Sequence, residues 1–242
     1  MDRAAREREH FDRLADEMGS VWWGSITPAG RVRLARRGAI AIRRARLEPG
    51  SVVLEPGAGN GEFTARLAPS GATIVGIEIS ERQVELGNER FAGRPNVRME
   101  LGNVDSLQYP DEHFDAVVGN SVLHHFDLDR ALPELYRVLK PGGRFFFFEP
   151  NILNPQIAIE KRIKPIGRRL QNSPDETAFL RWRLARRLRS APFHNVSVIP
   201  FDFMHPGIGS ALIPGFARLE WLLERTPAIR EIAGSLQIYA TR

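Results

Sequence analysis

The run Val52-Val-Leu-Glu55-Pro-Gly57-Ala-Gly59-Asn-Gly61-Glu-Phe constrains this chain more than any other stretch. An apolar, strand-like segment that feeds alternating glycines and then a helical pattern lets the backbone approach a ligand closely. It does so at the carboxyl end of a strand, where open α/β sheets bind ligands. The spacing also excludes a ligand class. A dinucleotide pyrophosphate loop reads G-x-G-x-x-G, whereas here the third glycine comes one residue early and Glu62 stands in its place. Glu55 and Glu62 put negative charge on either side of the loop, which repels a phosphate and suits a cation.

From residue 51 onward, short β-branched runs alternate with helical patterns, as in a parallel sheet with crossover helices. Strands are expected at 51–55, 73–78, 97–101, 114–119 and 144–149, with helices over about 61–68, 81–91 and 128–139. The last of these helices meets Lys140-Pro141-Gly142-Gly143, a stop followed by a sharp turn. Phe145 to Phe148 are apolar on both faces, as a buried parallel strand should be. Upstream, 2–18 and 29–47 have helical spacing. Downstream, 151–171 reads as irregular, interrupted by Pro155 and Pro165. Ser173-Pro174-Asp175-Glu176 combines a capping box with proline at the first helical position and predicts a helix to about residue 189. Strands are expected at 195–203 and 235–241, and 212–225 between them reads as an amphipathic helix with Leu219, Leu222 and Leu223 on one stripe.

Composition closes off several chemistries. The 242 residues contain no cysteine, so there is no disulfide, zinc-thiolate site or cysteine nucleophile. No run approaches the length of a membrane span and the N-terminus is charged throughout, so the expected compartment is cytoplasmic. The formal charge of +5 is uneven: +4 over residues 1–50, −6 over 51–150 and +7 over 151–242. An acidic middle between basic flanks separates a ligand-binding core from surfaces facing an anionic partner, although a compositional arginine bias explains the same pattern.

Glu78, at the end of the second strand, is placed to accept hydrogen bonds from a ribose diol. A ribose-bearing cation without phosphate describes S-adenosylmethionine. At this point the blocks VLEPGAGNGEFTARLA, IVGIEIS and LGNVDSLQYPDEHFDAVVGNSVLHHFDLDRALPELYRVLKPGGRFFFFEP resemble, in order, the core of a class I, Rossmann-like S-adenosylmethionine-dependent methyltransferase. The last block is similar to the group holding the ubiquinone, menaquinone and many small-molecule methyltransferases. The resemblance implies an α/β three-layer sandwich with a seven-stranded, mostly parallel sheet and an antiparallel last strand. N-terminal helices and a helical insertion before the last strand complete it. The whole of 1–242 is then one domain: a helical lid (1–48), a cofactor-binding core (49–150), and acceptor-side additions with the sheet edge (151–242).

By position, the same resemblance puts Glu55 near the amino-acid end of the cofactor, with Gly57, Gly59 and Gly61 forming the loop around it. Glu78 matches the ribose-binding acid and Ile79 the apolar residue on adenine. Asn103 and Val104 match the pair that reads the adenine edge, with asparagine where the family usually has aspartate. Asn120 faces the methyl-transfer site, and the product is S-adenosylhomocysteine.

The acceptor side is less defined. His124 and His125 follow the fourth strand, where a general base would stand if the acceptor carries a proton; the alternative is that they cap the next helix or pack beneath a lid. Trp22 and Trp23 either close over the site or pack the N-terminal helices on the core. Met204 and His205 fall on the acceptor side if the last two strands form the sheet edge. No metal site is expected, since Asp127 and Asp129 read as helix-start carboxylates.

A small organic acceptor, a secondary metabolite or a lipid, isoprenoid or quinone-like molecule methylated on oxygen or carbon, is the leading expectation. Nucleic acid is disfavoured: Asn120-Ser121-Val122-Leu123 is not an N-P-P-Y-type motif, and no RNA-binding module is appended. The basic helix 181–189, with Lys161, Arg162, Lys164, Arg168 and Arg169, offers a peripheral membrane contact instead. Tyr136-Arg-Val-Leu-Lys140 imitates the Y-x-x-x-K pair of a short-chain dehydrogenase, and a non-catalytic binding protein on the same fold is a further alternative. The sequence does not address oligomeric state.

Overall fold

The computed structural model describes residues 3–18, 23–163, 165, 167, 173 and 177–242. Helices α1 (Arg3–Met18), α2 (Trp23–Ile26) and α3 (Pro28–Ala45) precede the sheet. Thr27 starts α3 by accepting a hydrogen bond from the Gly30 N–H, with Pro28 at the first helical position, where its missing N–H costs nothing. The sheet has seven strands: β1 (Val52–Pro56), β2 (Thr73–Glu78), β3 (Val97–Leu101), β4 (Phe114–Asn120), β5 (Leu139–Pro150), β6 (His194–Phe201) and β7 (Ser235–Thr241). Their order is β3-β2-β1-β4-β5-β7-β6. The first five run parallel, and β7 lies antiparallel between β5 and β6, as the sequence leads one to expect.

The strand order reverses between β1 and β4, and such a reversal splays the crossover helices to opposite faces and leaves a crevice at the carboxyl ends. Two apolar cores hold the layers. Phe145 and Phe147 join the cluster with Leu54, Leu135 and Ile238, whereas Phe146 and Phe148 join the opposite one with Val53, Ile74 and Leu67. All four rings are fully buried. This is the strand geometry of successive side chains on opposite faces. Each ring contributes about 1.5–3 kcal/mol of burial.

Several expectations are corrected. Helix α4 is only Thr64–Leu67, because Gly61 sits at φ +82, outside the helical region, and keeps the loop open to residue 63. Strand β5 begins at Leu139 and absorbs Lys140–Gly143, whose turn geometry survives in Gly142 at φ +74. The stretch expected to be irregular contains helix α7 (Pro155–Arg162), capped by Asn154, whose side chain accepts from the N–H groups of Gln156 and Ile157. Helix α8 (Arg181–Ser190) starts later than the capping box implies. Phe179 is held extended, its N–H donating to the Pro150 carbonyl and its own carbonyl accepting from Ile152; residues 174–176 lie outside the described residues. Helices α9 (Ile213–Leu223) and α10 (Pro227–Arg230) form the insertion before β7. Leu219 and Leu222 on α9 are exposed, and its buried inward residue is Glu220. Among the described residues, no helix is long and apolar enough to cross a membrane.

Candidate active site

A cavity of about 520 Å³ opens over the carboxyl ends of β1, β2 and β4, roofed by residues of α1 such as Glu7, Phe11 and Leu14. Its floor is the glycine loop. Gly57 lies at φ +64, and a Cβ there would sit 2.1 Å from Val122 Cγ2; a Cβ at Gly61 would sit 2.3 Å from the Phe91 ring. Gly59, at φ +55, has nothing within 4 Å of that position, so the backbone there faces open cavity.

Glu55 ends β1 at 2% exposure. Its Oε2 has no hydrogen-bond partner, and burial pushes its pKa from 4.5 up to about 8. A buried carboxyl oxygen without a partner is costly, and this residue lines the cavity. Glu78 ends β2 in the opposite condition: Oε2 accepts from the Gly59 N–H at 2.9 Å, and Oε1 from Ile79 and Ser80 at 2.8 and 3.1 Å. Burial raises its pKa against the pull of those three donors. Ile79, Asn103 and Val104 line the same lobe. The Asn103 side-chain oxygen already accepts from the Asp105 N–H at 2.9 Å, so only its remaining lone pair is open to a ligand.

The other lobe gathers the acceptor-side candidates. Asn120 Oδ1 accepts from Arg37 Nη1 at 2.7 Å. His124 is buried, and its Nδ1 lies 2.6 Å from Glu149 Oε2. Glu149, fully buried at the end of the β5 apolar run, also accepts from the Val122 and Leu123 N–H groups through Oε1 at 2.8 and 2.7 Å. With the carboxylate as acceptor, Nδ1 carries the hydrogen, and Nε2 on the far side of the ring is the basic nitrogen. His125 turns instead to α1, its Nδ1 3.0 Å from Glu7 Oε2. Arg3 donates to the His124 carbonyl at 2.6 Å. Neither histidine caps α6 (Leu128–Val138); Asp127 does, accepting from the Asp129 N–H.

Met204 is buried and His205 exposed; both line the cavity. Trp22 lies outside the described residues, and so does the side chain of Trp23, which begins α2. Tyr136 and Lys140 do not line the cavity: Tyr136 packs edge-on against Phe193 and Lys140 pairs with Asp115 at 2.7 Å. That removes the dehydrogenase pair from the site.

Glu149 and the buried group around Asp202 escape the sequence reading. Asp202, at φ +75, holds both Arg33 and Arg37 through Oδ2 at 2.6 Å. Arg37 is buried, and its pKa falls to about 10 because desolvation outweighs the pairing. Through it the wall of the cavity fixes Asn120.

A family model described as a methyltransferase domain matches residues 54–147. The chain is 35% identical over 150 residues to a demethylmenaquinone methyltransferase of Symbiobacterium thermophilum, covering 59% of this chain and 58% of that protein. It is 34% identical over 130 residues to a ubiquinone/menaquinone biosynthesis C-methyltransferase of Geobacter sulfurreducens, covering 51% and 50%. The matched region thus spans 58% and 50% of the length of these two relatives. Among solved structures, a geranyl diphosphate C-methyltransferase from Streptomyces coelicolor A3(2), in complex with Mg2+, geranyl diphosphate and S-adenosyl-L-homocysteine, superposes with a TM-score of 0.65. That match is 16% identical and covers 88% of this chain and 81% of that one, a likeness of fold.

Proposed function

We propose, from the premise that residues 54–147 belong to the methyltransferase domain family, that this chain is an S-adenosylmethionine-dependent methyltransferase for a small isoprenoid- or quinone-type acceptor. The observation that carries the cofactor is Glu55: a buried carboxyl with its Oε2 unpartnered, raised to about 8 beside an open glycine loop. Such a group is stabilised by a cationic ligand. An ammonium at Glu55, a ribose diol at Glu78 and an adenine against Ile79 and Val104 account for the whole lobe. When bound, S-adenosylmethionine supplies a sulfonium methyl and leaves as S-adenosylhomocysteine.

The residues of the other lobe orient an acceptor and manage its proton. His124, oriented by Glu149, takes the proton of an acceptor hydroxyl through Nε2, and Glu149 stabilises the imidazolium formed. Asn120, fixed by Arg37, and the roof of α1 align the acceptor and exclude water. The names of the two relatives and the geranyl diphosphate enzyme support the isoprenoid or quinone class. A roofed cavity of about 520 Å³ suits a small molecule and disfavours a nucleic acid. The helical lid, the cofactor-binding core and the acceptor-side additions act in this proposal as one domain.

The test is transfer of labelled methyl from S-adenosylmethionine to prenylated hydroquinones and to RNA. Label in the hydroquinone, reduced strongly by His124→Asn, is the expected result. Label in RNA, or none in any acceptor despite cofactor binding, refutes the acceptor class.

A further inference from the structure

We infer that the outward face of α9 docks on an anionic membrane surface and sets the cavity mouth against it. On and beside this helix Leu212, Leu219, Trp221 and Leu222 are 67, 46, 57 and 55% exposed. Large apolar side chains gathered in one exposed place mark an interaction surface.

Charge decides what covers them. The ionisable side chains of residues 213–225 are Arg218, Glu220, Glu224 and Arg225. Both acids turn inward. Glu220 is buried, pairs with Arg36 at 2.9 Å, and accepts from the Phe203 and Met204 N–H groups. Glu224 pairs with Arg36 at 2.6 Å and accepts from the Asp202 N–H. Both arginines face outward, and the Arg225 guanidinium stacks over the Trp221 ring at 3.8 Å. A helix face of exposed leucines and tryptophan flanked only by cations is the pattern of interfacial helices on anionic lipid. A protein partner or second copy has no such need for one sign of charge.

The face also borders the site. Arg33, Asp202 and Met204 line both the main cavity and a recess of about 160 Å³ on the Trp221 side, which Arg36 and Glu220 line as well. Docking through Trp221 would hold this wall of the cavity beside the bilayer, where an acceptor of the proposed isoprenoid or quinone class would be dissolved. The basic helix α8, named from the sequence for this contact, is less suited: its Arg181 and Arg187 are paired with Glu231 and Asp129 at 2.8 and 2.6 Å.

Vesicle binding needs neither cofactor nor acceptor, so it is tested apart from methyl transfer. The full chain is pelleted with vesicles of phosphatidylcholine alone or mixed with phosphatidylglycerol, at low and raised salt. Expected are pelleting with the anionic vesicles that falls with salt, and a roughly fivefold weaker partition for each of Arg218→Gln and Arg225→Gln. Trp221→Ser with Leu222→Ser should lose binding while leaving adenosyl-ligand affinity unchanged. Equal binding to neutral vesicles, no vesicle binding, or unaltered binding of the double variant overturns the inference. So does a dimer dissolved by that variant without vesicle binding, which would give the face to a second copy.

Discussion

Replacing Glu55 by glutamine should stabilise the ligand-free protein and cripple the site at once. In the folded chain the carboxyl ionises near 8, against 4.5 when unperturbed. A folded-state pKa above the unfolded one means that the native state holds the proton longer, so stability falls as pH rises from about 4.5 to about 8. The linkage integrates to about 1 kcal/mol at pH 5 and about 3 kcal/mol at pH 7. Glutamine imitates the protonated carboxyl and escapes this loss. Glu55→Gln should match the parent below pH 4, and at pH 7 melt about 6–12 °C higher for a chain of this size. The same charge is what an ammonium ligand needs. Adenosyl-ligand affinity should drop roughly tenfold to a hundredfold, the worth of a charged hydrogen bond. Binding to the parent at pH 7 should also release about 0.9 proton, because a group titrating near 8 is mostly protonated there and must ionise to pair. Thermal unfolding at pH 4, 5 and 7 measures the first effect, and calorimetry in buffers of different ionisation enthalpy measures the second. A variant with the parent's pH slope, or a parent that releases no proton on binding, refutes the reasoning.

Asp202→Asn keeps the left-handed backbone, which asparagine tolerates, but strips Arg33 and Arg37 of their shared anion; chemical denaturation should show a loss of about 3–5 kcal/mol. Glu149→Gln retains an acceptor for the Val122 and Leu123 N–H groups while weakening the hold on His124. We expect kcat to fall by about 10²-fold or more with little change in KM, and the acidic limb of the pH–rate profile to move; a purely structural role would leave that limb in place. Gly57→Ala forces a Cβ into Val122 at positive φ, and binding of S-adenosylhomocysteine should be lost before the far-ultraviolet circular dichroism changes.

Three strands in this molecule end an apolar run with a glutamate: Glu55 on β1, Glu78 on β2 and Glu149 on β5. The first two are legible in the sequence because a glycine loop and a second strand give them a context. The third has the same local signature, RFFFFE, yet its partner His124 comes 25 positions earlier, and no spacing rule joins them. Pairing across such distances is written in topology, which brings the ends of β4 and β5 side by side. Arg37 and Asp202, separated by 165 positions, are hidden for the same reason. The sheet itself is legible because parallel strands buried on both faces read as continuous apolar runs. Helix α9 shows the limit of periodicity: its sequence carries a leucine stripe, and the structure exposes Leu219 and Leu222 of that stripe while Glu220 and Glu224 turn inward to bind Arg36. Periodicity detects an apolar stripe without saying what it faces.

The central claim is that the glycine-loop lobe holds a ribose-bearing cation instead of a dinucleotide. Calorimetric titration with S-adenosylmethionine, S-adenosylhomocysteine and NADPH, repeated on Glu78→Ala, tests it most directly. The account predicts micromolar binding of both adenosyl ligands, weakened by the substitution, and no heat from NADPH. Binding of NADPH alone, or adenosyl binding indifferent to Glu78, would contradict it.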